Sequence, residues 1–142
     1  MRTLEIITKI NAPVEEVWSV IGAVGGVDKW SPIINTCTLS SSADGGLQRT
    51  CSSDNGDLKE RILLLDHEER KLTYAITEQQ FFPIDDLLTA ITVSEQQGHT
   101  QILTEVSYTL RKGAPAEEIA TGIQGVYAMS YAGIEQLISQ TV

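Results

Sequence analysis

Arg49 and Glu60 are the residues of this sequence best placed for ligand or acid–base chemistry. They fall on two consecutive segments that both have the pattern of a β-strand. Side chains alternate along a strand, so Glu60 shares a face with Leu58, Ile62 and Leu64. If that apolar face looks into the protein, Arg49 and Glu60 would orient a carbonyl or hydroxyl group of a bound ligand. Glu60 would then be the candidate general acid or base.

Two other interpretations of this pair remain open. Arg49 and Glu60 can form an ion pair with a purely structural role, as many buried ion pairs do. The strand can also turn its other face inward, the one that carries Lys59 and Leu63. That arrangement would leave Glu60 in solvent.

Aromatic residues are the second group of candidates, because aromatic side chains line most ligand sites and a tyrosine hydroxyl can orient a ligand. The candidates for a cavity wall or mouth are Trp30, Tyr74, Phe81, Phe82, Tyr108, Tyr127 and Tyr131. Each can instead be an ordinary core residue, and we expect this of Trp18, which lies on the packing face of the first helix. Phe81 and Phe82 lie in a linker, which favours a position at the rim of a pocket.

The sequence lacks the residue sets that are typical of many enzymes and metal sites. It contains no Ser-His-Asp or Cys-His arrangement and no Gly-rich phosphate loop. Asp85 and Asp86 are adjacent, so on a strand they would point to opposite faces. His67 and His99 fall in predicted turns, and no Cys/His cluster has the spacing of metal ligands. We therefore expect no metal and no cofactor, and the sequence leaves open whether the protein is an enzyme.

Cys37 and Cys51 are the two cysteines of the chain. They can face each other across a predicted hairpin centred near Asp44 and Gly45, but a change of one residue in loop length decides whether they pair directly. We expect buried or half-buried free thiols, as in a reducing compartment.

Length, composition and charge set the general class of the protein. With 142 residues, 42% of them hydrophobic and 20% charged, the chain is expected to form one globular domain over residues 1–142. The net charge of −9 would repel nucleic acid and anionic membrane surfaces. No apolar run approaches the roughly 20 residues of a membrane helix, and the N-terminus alternates like a strand. We expect a cytoplasmic monomer or homodimer without stable membrane insertion.

The stretch from Pro115 to Gln140 predicts one long helix. Residues at three- and four-residue steps place one largely apolar stripe on a single face, made of Ile119, Ile123, Val126, Ser130, Ile134 and Leu137. At 1.5 Å per residue the helix would be about 39 Å long, so it must cross several strands. Gly122, Gly125 and Gly133 would each destabilise it by roughly 0.5–1 kcal/mol, which indicates close approach of a backbone or ligand.

Hydrophobic alternation upstream of this helix predicts seven strands. They cover residues 3–10, 33–39, 47–51, 57–65, 71–77, 86–93 and 100–110. A short helix begins near Pro13 and ends at Gly22, and a second covers Val27 to Trp30 before Pro32 forces an extended path. Hairpin-linked strands with helices outside them predict an α+β domain with an antiparallel sheet, one face of which the long helix closes. A sheet curled around a helix encloses space.

The order of elements and several motifs resemble the START/Bet v 1-like (SRPBCC) superfamily, and within it the bacterial polyketide cyclase/dehydrase and lipid-transport-like proteins. The resemblance covers nearly the whole chain. The matching stretches, in chain order, are INAPVEEVWSVIGAVGGVDKWSP, GGLQRT, LKERILLLDHEERKLTYAITE, FFPIDDLLTAITV and the terminal helix. One departure is that many relatives carry a tryptophan in the strand equivalent to Thr100 to Leu110, where this chain has none.

The resemblance implies a helix-grip fold: a curved seven-stranded antiparallel sheet around the C-terminal helix, with two short helices after the first strand. It also implies a cavity that binds or carries an apolar or amphipathic small molecule, such as a lipid, polyketide or isoprenoid-like compound. The candidate ligand-binding residues are Trp30, Arg49, Glu60, Tyr74, Phe82, Tyr108, Ile119, Ile123, Val126, Tyr127 and Ser130. Two alternatives stay open: a cyclase or dehydratase with Glu60 as acid or base, and an interaction module that docks a partner through Phe81 and Phe82.

Overall fold

The computed structural model describes residues 1–140, which form a sheet and two helices. The elements are β1 (Arg2–Ile10), α1 (Val14–Ile21), a 3-10 turn (Val27–Lys29), β2 (Thr36–Ser41), β3 (Leu47–Ser53), β4 (Gly56–Asp66), β5 (Lys71–Glu78), β6 (Ile84–Gln96), β7 (His99–Leu110) and α2 (Ala116–Ser139). All strand pairs are antiparallel, in the order β1-β7-β6-β5-β4-β3-β2. The predicted α+β helix-grip fold is confirmed. No helix in the described part of the chain combines the length and apolarity needed to cross a membrane.

Buried side chains form clusters along α2. The first cluster joins α1 and the C-terminal half of α2 to the sheet through residues such as Trp18 and Ile134. The second lies beneath the N-terminal half of α2, where Ile119 packs with Tyr108. A third lies beneath the 3-10 turn and includes Cys51. The apolar stripe predicted from the sequence is therefore the face that α2 buries, as expected for an amphipathic helix.

Local turn chemistry explains why β2 begins later than predicted. Pro32 and Ile33 form a turn that is closed by the N–H of Ile34, which donates to the carbonyl oxygen of Ser31 over 3.2 Å. The expected extended path after Pro32 is wrong, because the fixed φ of proline also suits the second position of a β-turn. The segment predicted as a second short helix is a single 3-10 turn.

Bulges bend the long strands of the sheet. The pairing register shifts twice in β4 and once in β6, between Asp85 and Leu88. Asp86 in that interval has a φ of +54°. A bulge inserts one extra residue and increases the local bend of a strand. These irregularities therefore bend β4 and β6 locally.

Two of the three glycines inside α2 lie where the helix touches another segment. A Cβ atom on Gly133 would overlap the carbonyl oxygen of Trp30, and one on Gly122 would lie 2.6 Å from the ring of Phe82. The close approach expected from the sequence is therefore found at both positions. Gly125 faces open space, and nothing in the structure explains it.

Candidate functional site

A cavity lies between the sheet, α2 and the segments that hold Trp30 and Phe82. Its volume is about 100 Å³. The wall is largely apolar and draws on all three core clusters, with Leu72, Leu87 and Cys51 as examples.

Most of the candidate ligand-binding residues meet at this cavity. Those on its wall are Trp30, Arg49, Glu60, Tyr74, Phe82, Ile123, Val126, Tyr127 and Ser130. Their role in binding stays a prediction. Tyr108 and Ile119 are not on the wall but pack against each other in the second cluster. Both are buried, and Ile119 lies in the first turns of α2.

Sequence reasoning missed several residues of the wall. Cys51 is on it, two positions from Arg49, and the period-two rule would have found it. Leu58 is also on the wall; the alternation placed it on the face of Glu60, but it was not among the candidate binding residues. Ser31 and Gln79 lie in irregular segments, where no periodic pattern indicates which side chain points inward.

Arg49 and Glu60 form a buried ion pair in the cavity wall. They are directly opposite each other on β3 and β4, and Nε of Arg49 donates to Oε1 of Glu60 over 2.5 Å. Their side chains are 7% and 4% exposed. Nη1 of Arg49 also donates to the carbonyl oxygen of Val24 over 2.7 Å, and the guanidinium carbon lies 4.9 Å from the ring centre of Tyr74. The interpretation that leaves Glu60 in solvent is therefore wrong.

The charge of Arg49 is stabilised by this pairing. Burial alone would lower the pKa of Arg49, but the adjacent Glu60 carboxylate outweighs burial and raises that pKa above its ordinary value. Arg49 is therefore a fixed cation whose charge is matched within the wall. The pair fits the structural interpretation while also presenting polar groups to the cavity.

The inward face of β4 changes along the strand. Glu60 and Leu58 reach the cavity as the alternation predicts, but the register shifts between Ile62 and Leu64. Leu63 and Leu64 are 52% and 45% exposed, while Leu65 packs against the first core cluster. The prediction that Leu64 shares the face of Glu60 is therefore wrong, because a bulge adds a residue between them.

Tyrosine hydroxyls form a network beside the ion pair. The Tyr127 hydroxyl lies 2.9 Å from that of Tyr74 and 2.8 Å from Oγ1 of Thr89, and the Tyr131 hydroxyl lies 2.7 Å from Oγ1 of Thr104. Burial raises the pKa of Tyr127 to about 12, and it also raises the pKa values of Tyr74 and Tyr131. These hydroxyls are thus protonated at neutral pH and already take part in hydrogen bonds.

The segment around Phe81 and Phe82 is held by a single side chain. Oε1 of Gln79 accepts hydrogen bonds from the N–H groups of Phe81 and Phe82, both over 2.9 Å. Nε2 of Gln79 donates to the carbonyl oxygens of Phe82 and Ile84. Both rings are half-buried and line the cavity, so the structure gives no support to an exposed rim that docks a partner.

Cys37 and Cys51 pair directly across β2 and β3 as free thiols. Sγ of Cys51 donates to Sγ of Cys37 over 2.8 Å. That hydrogen bond lowers the pKa of the half-buried Cys37 to about 7. The same hydrogen bond raises the pKa of Cys51, because the Cys51 thiol donates its hydrogen to Cys37.

Alkylation of Cys37 by iodoacetamide is expected to increase with pH around a midpoint near 7. The thiolate is the reactive form, and a lowered pKa makes it abundant from about that pH upward. Mass spectrometry of the modified protein across pH 5.5–9.5 would measure the midpoint. Cys51→Ala removes the hydrogen bond and should move the midpoint towards the roughly 8.5 of an ordinary thiol. Equal midpoints in the two proteins would contradict this account of Cys37.

Comparison with known proteins gives one family and several similar folds. Residues 1–138 match the family described as polyketide cyclase / dehydrase and lipid transport. None of the curated proteins that were compared matches the chain. The fold is similar to that of the protein XoxI from Bacillus cereus, with a TM-score of 0.81 and 23% identity over 96% of this chain and 94% of the other. It is also similar to a START superfamily protein from Mycobacterium smegmatis, with a TM-score of 0.79 and 12% identity over 99% of each chain.

Proposed function

The chain belongs to the polyketide cyclase/dehydrase and lipid transport family, and we propose that it binds a small apolar or amphipathic molecule between its sheet and α2. The family and fold are those of a START/polyketide-cyclase-like ligand-binding domain. The observation that carries the proposal is the cavity of about 100 Å³ in the core, with a mostly apolar wall and a few polar groups. Such pockets are typical of small-molecule sites.

The size of the cavity limits which ligands can fit. Lipids, polyketides and isoprenoid-like compounds were all implied by the resemblance, and the volume favours compact rings or short chains among them. Small ligands gain roughly 0.3–1.5 kcal/mol per non-hydrogen atom. A nine-carbon hydrocarbon such as indane is a suitable probe. A gain of roughly 0.5–0.9 kcal/mol per carbon atom, in the middle of that range, corresponds to a Kd of roughly 1 μM to 1 mM.

Filling the cavity is expected to abolish indane binding. Val126 is half-buried on the cavity wall, so the indole of Val126→Trp would occupy the space that indane needs. Saturation-transfer NMR and calorimetry would measure binding to the wild type and to the variant, and we expect at least a tenfold loss of affinity. Met129→Trp is the matched control, because Met129 lies on the same helix but is 50% exposed and off the wall. Equal binding by all three proteins would contradict the proposal.

Catalysis of the cyclase or dehydratase kind is the second candidate, and the position of Glu60 favours it. Oε1 of Glu60 accepts a hydrogen bond from Arg49, and the Glu60 side chain lines the cavity, where its carboxylate would exchange a proton with a bound ligand. Under this alternative, Glu60→Gln would stop turnover of a substrate but leave indane binding intact. Unchanged turnover in that variant would exclude Glu60 as the acid or base.

We propose the class of partner, the location and the oligomeric state from the sequence. The net charge of −9 opposes nucleic acid as a partner and supports a small molecule instead. We place the protein in the cytoplasm, as one domain over residues 1–142 and as a monomer or homodimer.

A further inference from the structure

Trp30 carries a polar atom that the fold does not satisfy. Its indole nitrogen Nε1 is buried and has no hydrogen-bond partner in the described part of the chain. The great majority of buried polar groups in proteins are hydrogen-bonded, so a buried unpaired donor indicates a missing acceptor. The other tryptophan, Trp18, shows the usual situation, since its Nε1 donates to Nδ1 of His67 over 3.2 Å.

The position of Trp30 connects this donor to the cavity. The side chain lies on the cavity wall, and its backbone is held against α2 at Gly133. Because Nε1 is buried, the indole ring or the atoms around it must shift before a ligand atom can reach the nitrogen. The gain of a hydrogen bond for an otherwise unpaired donor favours that shift.

A second unused donor lies in the same part of the wall. Ser31 and Ser130 both line the cavity, and their hydroxyl oxygens are 2.9 Å apart. One hydroxyl donates to the other, which leaves one hydroxyl hydrogen uncommitted whichever way the bond runs. Trp30 and this serine pair thus both need an acceptor.

The charges of the wall exclude an ionic ligand group. Arg49 and Glu60 are the ionisable pair on the wall, and each neutralises the other at 2.5 Å. An added carboxylate or phosphate would be buried without a cation of its own, which is strongly unfavourable. An uncharged acceptor avoids that cost.

We infer that the cavity selects an uncharged carbonyl compound, whose oxygen accepts a hydrogen bond from Nε1 of Trp30. A carbonyl oxygen has two lone pairs and no hydrogen to donate, which matches a site whose unused groups here are donors. The inference rests on the proposed function, because it names the class of ligand for the same cavity.

The test compares three probes of one shape: indane, 1-indanone and the anion indane-1-carboxylate. We expect the wild type to bind 1-indanone at least about fivefold more tightly than indane, since the ketone satisfies a buried donor. The anion should bind more weakly than either. In ¹H–¹⁵N spectra, the indole N–H of Trp30 should move downfield with 1-indanone and much less with indane, while that of Trp18 stays in place.

Two variants identify the donor. Trp30→Phe keeps an aromatic ring but removes the N–H, so the preference for 1-indanone over indane should fall to nearly one. The ratio of the two affinities corrects for any change of cavity shape, because both probes share it. Trp18→Phe is the control and should keep the wild-type preference, since Trp18 is not on the wall. The spectra of the wild type serve the same purpose if Trp30→Phe does not fold.

The outcomes separate this inference from the proposed function. If the wild type binds indane and 1-indanone equally and the Trp30 indole signal does not respond, the inference is overturned while the cavity remains a binding site. Tighter binding of the carboxylate than of the ketone would also overturn it. If neither indane nor 1-indanone binds, the proposed function itself fails.

Discussion

Arg49→Met is expected to lower the free energy of unfolding by about 3–5 kcal/mol. The substitution leaves the Glu60 carboxylate buried at 4% exposure without its cation, and it also removes the hydrogen bond to Val24. Val24 has a φ of +67°, a strained conformation for a β-branched residue that Arg49 helps to hold. Urea unfolding at pH 7, followed by circular dichroism, would measure the loss.

Two further variants test the cause of that loss. Arg111→Met breaks an ion pair with Asp85 whose side chains are 52% and 55% exposed, so it should lower stability far less than Arg49→Met does. The double variant Arg49→Met with Glu60→Leu removes both buried charges and should recover most of the stability, as apolar replacements of buried pairs often do. A double variant as unstable as Arg49→Met alone would contradict burial of an unpaired charge as the cause.

Gly133→Ala is expected to destabilise the protein by about 3 kcal/mol or more. A Cβ atom at this position would overlap the carbonyl oxygen of Trp30, and backbone cannot rotate away as the end of a flexible side chain can. Either α2 or the segment of Trp30 must move, so indane binding should weaken as well. Thermal unfolding and calorimetric titration would measure the two effects.

Gly125→Ala is the matched control on the same helix. Apart from its chain neighbours and the backbone of its own helix, no atom lies within 4 Å of the Cβ that it would add. Alanine in an open helical position should raise the free energy of unfolding by about 0.5–1 kcal/mol. If both alanine variants shifted stability in the same direction, close contact between α2 and the Trp30 segment would not be the reason for Gly133.

The fold was predictable because its signals repeat along the chain. The stripe from Ile119 to Ile134 gave the buried face of α2, and period-two alternation gave seven strands in the correct order. The sequence left open which face of β4 looks inward, and the structure selects the face that carries Leu58 and Glu60. Arg49 and Glu60 on neighbouring strands were correctly considered as a pair.

The wrong or missing predictions lie where a bulge or an irregular segment interrupts the periodic pattern of side chains. The bulge in β4 turns Leu64 outward, and no sequence pattern distinguishes an extra residue from a continued strand. Ser31 and Gln79 reach the cavity from irregular segments, which have no period to extrapolate. Tyr108 was assigned to the site because periodicity gives the face of a strand but not how far along it the cavity extends.

The central claim is that the cavity binds a small apolar or amphipathic molecule. Protein-observed NMR with indane tests this claim most directly. Spectra of ¹⁵N-labelled protein would be recorded as indane is added up to its solubility limit. The account predicts saturable shifts at residues around the cavity, including Leu58, Ile91 and Ile123, which lie on three different elements. Shifts confined to exposed apolar residues such as Leu63 and Met129, or no shifts at all, would contradict it.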